Sequence, residues 1–220
     1  MKRIYILCEG QTEESFVREL LYSPFLSKGL VLVPVPIETR RERSGLKYKG
    51  GGSSYGKIRK HLVNLCLSHQ NEYVTMLFDY YELPHDTPGM DTLPAGTSLE
   101  KILHLEESIR KDVAAANFIP NLVMHEFEGL LFSKPDAFSY CISSQSKIDM
   151  LQRIRNNFLS PEDIDDGADS APSKRILKIY PPYKKVLHGI VIARNIGIHV
   201  IASECKHFDR WLTRISGMAE

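Results

Sequence analysis

Five carboxylates stand where side chains that share a divalent ion would need to be. Glu9 follows the apolar run Ile4-Tyr5-Ile6-Leu7-Cys8, Asp79 ends the run that begins at Tyr73, and Glu126 and Glu128 follow residues 118–124 through His125. Three times an apolar segment short enough to be a buried strand runs straight into acid. In open α/β sheets ligands bind beyond the carboxyl ends of the strands, so carboxylates delivered there by separate strands can share one ion. Magnesium takes a few carboxylate oxygens together with water and substrate phosphate, which makes Mg2+ or Mn2+ the expected cofactor. Glu13, about one helical turn beyond Glu9, would complete the shell or orient a water. His125 can ligate metal, act as a base, or serve as a hydrogen-bonded structural residue. For Glu9 and Glu13 the plainer alternative, a solvated strand end and a capping glutamate, stays equally open at this point.

The elements that must position these groups follow from the pattern around them. Gly10 permits a sharp turn after the first strand, Thr12 is the expected helix cap, and Glu13, Glu14 and Glu19 suit the helix start and its exposed face. Residues 29–37 read as an edge strand, because Pro34 and Pro36 each remove a ladder donor. Amphipathic spacing predicts helices over 55–69 and 98–116, the second capped by Ser98. Between them residues 73–78 form a second buried strand, and the proline- and glycine-rich residues 80–97 make a loop long enough to lie over the site. Beyond 135 the chain reads as helical, with patterns around Phe138 and Met150-Leu151-Ile154 and a helix start at Ser160-Pro161-Glu162-Asp163. Residues 190–202 suggest a helix and then a short strand, and residues 205–215 a final amphipathic helix with Trp211 and Leu212 on its apolar face. The expectation is α/β: a Rossmann-like, mostly parallel sheet flanked by helices, as one domain over 1–220, with a core in 1–135 and a helical extension in 136–220.

Composition narrows the function classes. A net charge of +1 over 220 residues argues neither for nor against nucleic acid, so local segments must carry that case. Residues 38–60 are the most basic stretch: Arg40, Arg41, Arg43, Lys47 and Lys49 crowd toward a three-glycine run, with Tyr48 and Tyr55 interleaved. Such a segment can follow a phosphate backbone through charge, backbone donors and stacking, or it can be a solvated loop ahead of a helix. It is not a nucleotide-binding phosphate loop, because no Gly-Lys-Ser/Thr closes the run. The acidic stretch 162–169 lacks the ligand spacing of a calcium loop. Cys8, Cys66, Cys141 and Cys205 are far apart, which suggests neither a disulfide framework nor a cysteine zinc site, and points to a reducing cytoplasm. With no signal-peptide core and no apolar run near 20 residues, no membrane partner is expected.

The residues also carry a resemblance. Glu9-Gly10-Gln11-Thr12-Glu13 after the first strand, Asp79 after a later one, and His125-Glu126-Phe127-Glu128 resemble the Toprim-like arrangement of topoisomerases, primases and overcoming-lysogenization-defect nucleases. Over nearly the whole chain, EGQTE, HEFEGLLFS, EDIDDGADSAPSKRI and a terminal pattern through Cys205, His207, Phe208 and Trp211 are similar to the bacterial family known as domain of unknown function 4276. The Toprim resemblance implies an acidic cluster that binds Mg2+ or Mn2+ and acts on phosphodiester bonds. Glu9 matches the motif's glutamate and Asp79 the first aspartate of its Asp-x-Asp pair; Tyr81 stands where the second would be. Glu82, or Glu13, Glu126 and Glu128 from other segments, would have to supply the missing oxygens.

The resemblance therefore implies a metal-dependent nuclease of the kind paired with ABC-type ATPases in phage defence, acting on DNA or RNA. In that reading Glu9, Asp79 and Glu126 or Glu128 hold the metal, while Lys174, Arg175 or a member of the Arg40 to Lys60 run neutralises the scissile phosphate. Two other readings stand beside it. One is a non-catalytic Toprim-like partner or nucleic-acid-sensing module, favoured by the absent second aspartate. The other is a phosphohydrolase of small nucleotides.

Overall fold

The computed structural model describes residues 1–37, 54–164 and 170–219. Alternating burial along β1 (Lys2–Cys8) sets the architecture: Ile4, Ile6 and Cys8 face one side of the sheet and Leu7 the other, all closed to water. A strand buried on both faces belongs inside a sheet that helices cover on both sides. β1 accordingly pairs in parallel with β2 (Leu30–Pro36) on one flank and β3 (Tyr73–Asp79) on the other. Next to β3 lie β4 (Phe118–Ile119) and β5 (Leu122–Val123), so the order is β2-β1-β3-β4 with β5 also on β3, and every pairing among the described residues is parallel. Pro120, with no N–H to give, falls at the break between β4 and β5. The buried Asn121 side chain bridges that break, its Nδ2 donating to the Met76 carbonyl at 3.2 Å. β2 is the edge its prolines demand, with Pro34 opposite Ile6 and Pro36 opposite Cys8.

Two apolar cores lie on the two faces. On one, α3 (Tyr55–Ser68) and α4 (Ser98–Val113) press Ile58, Leu62, Ile102, Leu105 and Ile109 onto Leu7, Val74, Met76 and Phe78. On the other lie α1 (Gln11–Phe16) and α2 (Tyr22–Leu26), joined by a π-helical turn over Val17–Leu21. The later helices pack on that same face: α5 (Phe127–Leu131), α6 (Gln145–Asn156), α7 (Pro172–Ile179), α8 (Ile190–Ile196), α9 (Ile198–Glu204) and α10 (Lys206–Ser216). The pleat turns Thr75, Leu77 and Asp79 toward this second face. Trp211 of α10 confirms the direction, its Nε1 donating to Thr75 Oγ1 at 3.0 Å. Asp79, which ends β3, therefore points at the C-terminal helices.

Several local expectations are corrected. The first helix is capped not by Thr12 but at Gly10, whose amide donates to Glu13 Oε2 at 3.0 Å, and Glu13 is buried rather than on an exposed face. α4 is capped by Thr97, one residue before Ser98, in a reciprocal arrangement with Glu100. Residues 190–202 make no strand: α8 ends at Gly197, which takes φ +82°, and α9 follows at once. Residues 80–97 contain two short 3-10 turns, Tyr80–Glu82 and Met90–Thr92, anchored by the buried Leu83 and Thr87. Among the described residues no single helix is long and apolar enough to cross a membrane.

Candidate active site

The carboxyl ends of β1 and β3 lie side by side, because Cys8 and Leu77 are register partners. Glu9 continues past β1 and its Oε2 accepts the Asp79 amide at 3.1 Å, which ties the first acidic strand end to the second. Asp79 is buried and uses both oxygens: Oδ1 accepts the Phe127 amide at 2.9 Å and Oδ2 accepts Lys185 Nζ at 2.7 Å. The first of these bonds fastens the start of α5 to β3. Between β5 and α5 the backbone passes through His125 at φ +60°, a conformation costly for a residue with a Cβ. That bend turns the chain so that Glu126 and Glu128 arrive beside Asp79.

The two glutamates then diverge. Glu126 Oε2 accepts the Ser173 amide at 2.9 Å, so this side chain fixes the start of α7. Glu128 turns instead toward Lys185, with Oε2 3.5 Å from Nζ. Glu13 comes in from α1, its Oε1 3.6 Å from the same ammonium. Lys185 thus sits among Asp79, Glu128 and Glu13, with Glu9 bonded to the Asp79 backbone beside them.

One cation does not balance this many acids. Burial first, and the Asp79 charge second, push Glu9 up to about 8. Burial pushes Glu128 up to about 7, the Lys185 ammonium working against the rise and Asp79 adding to it. Glu13 is raised for the same reasons as Glu9, burial before Asp79. Burial works against the Lys185 ammonium, yet Asp79, Glu128 and Glu13 outweigh it and hold that pKa above its ordinary value. Among the described residues Glu13 Oε1 and Glu128 Oε2 are buried and accept no hydrogen bond, the Lys185 ammonium at 3.6 and 3.5 Å being the positive charge beside them. Oxygens paired only at that range keep part of their desolvation cost.

The donor set fits a hard divalent cation. Glu9, Glu13, Asp79 and Glu128 offer only oxygen, the chemistry that Mg2+ and Mn2+ prefer, and the two donorless oxygens are where a further positive charge gains most. Among the described residues no group of three or more His, Cys, Asp or Glu side chains is arranged to hold a metal ion, and the Lys185 ammonium stands among the acids, 2.7 Å from Asp79 Oδ2. Of the other expected ligands, Glu82 is exposed in the turn after Asp79, and the interactions that gather the cluster do not involve it. Tyr81, at the place of the second aspartate, is exposed as well. Lys174 is exposed on α7, whereas Arg175 is partly buried with its guanidinium 5.4 Å from the Phe158 ring. Arg40, Arg41, Arg43, Lys47 and Lys49 lie outside the described residues.

Sequence reasoning missed Lys185, which lies 106 residues from Asp79 and looks like its exposed neighbour Lys184. It also missed Tyr183, whose hydroxyl is buried without a partner. Burial, and after it the Glu128 charge, keep that phenol protonated. Gly189 makes room for it, since a Cβ there would stand 3.0 Å from the hydroxyl.

With this geometry in view, the chain belongs to the family described as Domain of unknown function (DUF4276), whose model matches residues 8–216. Similar solved structures include the C-terminal region of the OLD protein of Xanthomonas campestris pv. campestris. One matches with 15% identity and a TM-score of 0.43, covering 100% of this chain and 98% of the other. Another has 17% identity and a TM-score of 0.41, covering 94% of each. Among curated proteins nothing matches.

Proposed function

We propose that this protein is a metal-dependent phosphodiester hydrolase acting on nucleic acid, with the Toprim-like site that its Glu9 and Asp79 motifs resemble. The observation that carries the reading is the convergence of Glu9, Glu13, Asp79 and Glu128 at the carboxyl ends of β1 and β3 around a single ammonium, with two buried oxygens that accept no hydrogen bond among the described residues. A cluster of buried acids with raised pKa values is the kind of place where functional sites concentrate. Glu9, Asp79 and Glu128 would hold Mg2+ or Mn2+, with Glu13 beside them. When bound, such an ion polarises the phosphodiester and lowers the pKa of a water.

The chain's own groups do the rest. Asp79 holds the α5 amide and so fixes where Glu128 stands. Glu126 holds α7 in place through Ser173. Lys185, a third exposed and next to the acids, is placed to move its ammonium onto a phosphate oxygen and offset the charge that builds there. An ATPase partner and a role in phage defence belong to the same proposal and rest on the family resemblance, while a cytoplasmic setting is proposed from the four scattered cysteines.

The test is cleavage of single-stranded and plasmid DNA, and of RNA, with Mn2+ or Mg2+. Glu9→Gln and Asp79→Asn should each lower the rate by on the order of a hundredfold or more. No cleavage by the wild-type chain, or cleavage that both variants retain, contradicts the reading. A second reading, a non-catalytic module, has one observation in its favour: the Lys185 ammonium already lies 2.7 Å from Asp79, as a permanent internal counter-charge would. A site of that kind would give no response to divalent ions.

A further inference from the structure

A cavity of about 360 Å³ opens between α6 and α7, away from the carboxylates. Among the described residues its lining combines apolar side chains, Met150, Ile154 and Ile179, with three cations, Arg153, Arg175 and Lys178, and no acid. α7 has the sequence PSKRILKI, without a carboxylate, and the one acid of α6, Asp149, is engaged by Gln145 Nε2 at 2.9 Å. Arg153 and Lys178 make no ion pair among the described residues. Arg175 is held in place, stacked on Phe158 with its Nε donating to the Ser170 carbonyl. Met150 keeps 48% of its surface exposed in this lining, a large apolar side chain open to solvent.

The cavity is joined to the candidate active site by α7 itself. Ser173, at the start of α7, gives its amide to Glu126, and Lys178 lies five residues further along the helix. At about 1.5 Å per residue that is roughly 7–8 Å along the helix, so the start of α7 and the cavity lie within reach of one strand. Cations set along an apolar surface suit an unpaired strand, the charges meeting its phosphates and the apolar side chains its bases.

We infer that the α6–α7 cavity receives an unpaired nucleotide of the strand whose phosphodiester enters the carboxylate site. This rests on the hydrolase reading and makes the substrate of that site single-stranded. A paired base can enter the cavity only by leaving its stack and breaking its pair, which costs free energy, so a duplex is disfavoured.

The experiment measures binding without metal, so that cleavage does not enter. Fluorescein-labelled single-stranded DNA and RNA oligomers, and a DNA duplex of equal length, are titrated with the full chain in EDTA and followed by anisotropy at several salt concentrations. The charge-reversal pair Arg153→Glu and Lys178→Glu, both exposed, is compared with Lys101→Glu and Lys111→Glu of α4 on the opposite face, outside the basic segment 38–60, which changes net charge equally. The cavity pair should weaken single-strand binding by about tenfold or more and reduce the log-log salt slope by about 1.4, near 0.7 for each phosphate no longer neutralised. The opposite-face pair should leave both within about twofold. Tighter binding of either single strand than of the duplex supports the inference, and the DNA and RNA arms show which strand the cavity takes. Equal weakening by the two pairs, no weakening by the cavity pair, or a duplex bound as tightly as the single strand would overturn it. Should wild type bind single strands through these residues yet never cleave them, the hydrolase reading fails while the cavity assignment stands.

Discussion

The two faces of the sheet solve the same burial problem in different ways. Against α3 and α4 the sheet presents Leu7, Val74, Met76 and Phe78 to an apolar layer, with charges in surface pairs such as Arg59 with Asp112 and an inner pair of Glu106 with the buried His207 at 3.0 Å. Against the C-terminal helices the sheet edge carries buried acids, one lysine, a phenol without a partner and a strained His125 backbone. Sites where local rules are broken together are where function is expected. The first face therefore reads as scaffold and the second as the site it supports.

Substitutions on the two faces should separate these roles. Leu62→Ala, in the closed layer, is expected to lower stability by about 2–5 kcal/mol and to leave the response to Mn2+ unchanged. Lys185→Ala should cost somewhat less in the metal-free protein, about 2–3 kcal/mol, because its side chain keeps 34% of its surface exposed and solvent already screens part of the pairing. Its deficit should shrink when Mn2+ is added, since the missing charge is replaced. Thermal and urea melts of both variants, with and without the ion, check this contrast, and equal metal responses would erase it.

The pH dependence of the metal-free protein follows from the raised acids. Glu9 at about 8 and Glu128 at about 7 keep their protons in the folded chain over a range where the unfolded chain, near 4.5, has lost them. The folded state binds more protons there, so stability falls as pH rises. This contribution is complete below about 4.5 and is lost as pH passes through 7 to 8. Lys185 acts the other way only at alkaline pH, its stabilisation being complete below its ordinary value of 10.5 and constant across this window. Melting temperature measured from pH 5 to 8 should decline in wild type and decline less in Glu9→Gln; a flat wild-type profile would contradict the burial of these acids.

How far the sequence reached follows the same division. Glu9 and Asp79 were legible because each directly ends an apolar run, and a parallel strand brings such ends to one edge whatever the loops do. Pro34 and Pro36 marked the edge strand for an equally local reason. Lys185 was not legible: nothing near it distinguishes it from Lys184, and its place depends on how residues 172–189 pack after a long excursion from the sheet. The divergence of Glu126 from Glu128 was hidden too, since it arises from the Ser173 amide, a backbone group that no sequence pattern announces. At 198–202 a short β-branched run suited strand and helix alike, and packing against the core chose the helix.

A smaller effect sharpens the picture of the second face. Tyr183→Phe removes a buried hydroxyl without a partner, so the metal-free protein should be unchanged or up to about 1 kcal/mol more stable. A clear loss of stability would show that the hydroxyl has a partner after all, and would make Tyr183 part of the acid network.

The central claim, that surplus acid at the ends of β1 and β3 is there to hold a divalent cation, is tested most directly by a thermal melt with and without Mn2+. Wild type should gain about 2.7 kcal/mol at a hundredfold excess of ion over its dissociation constant. Glu9→Gln and Asp79→Asn should each lose that gain while still folding without metal. If wild type does not respond to the ion, or both variants respond as wild type does, the cluster is an internally neutralised scaffold and the metal-dependent reading is wrong.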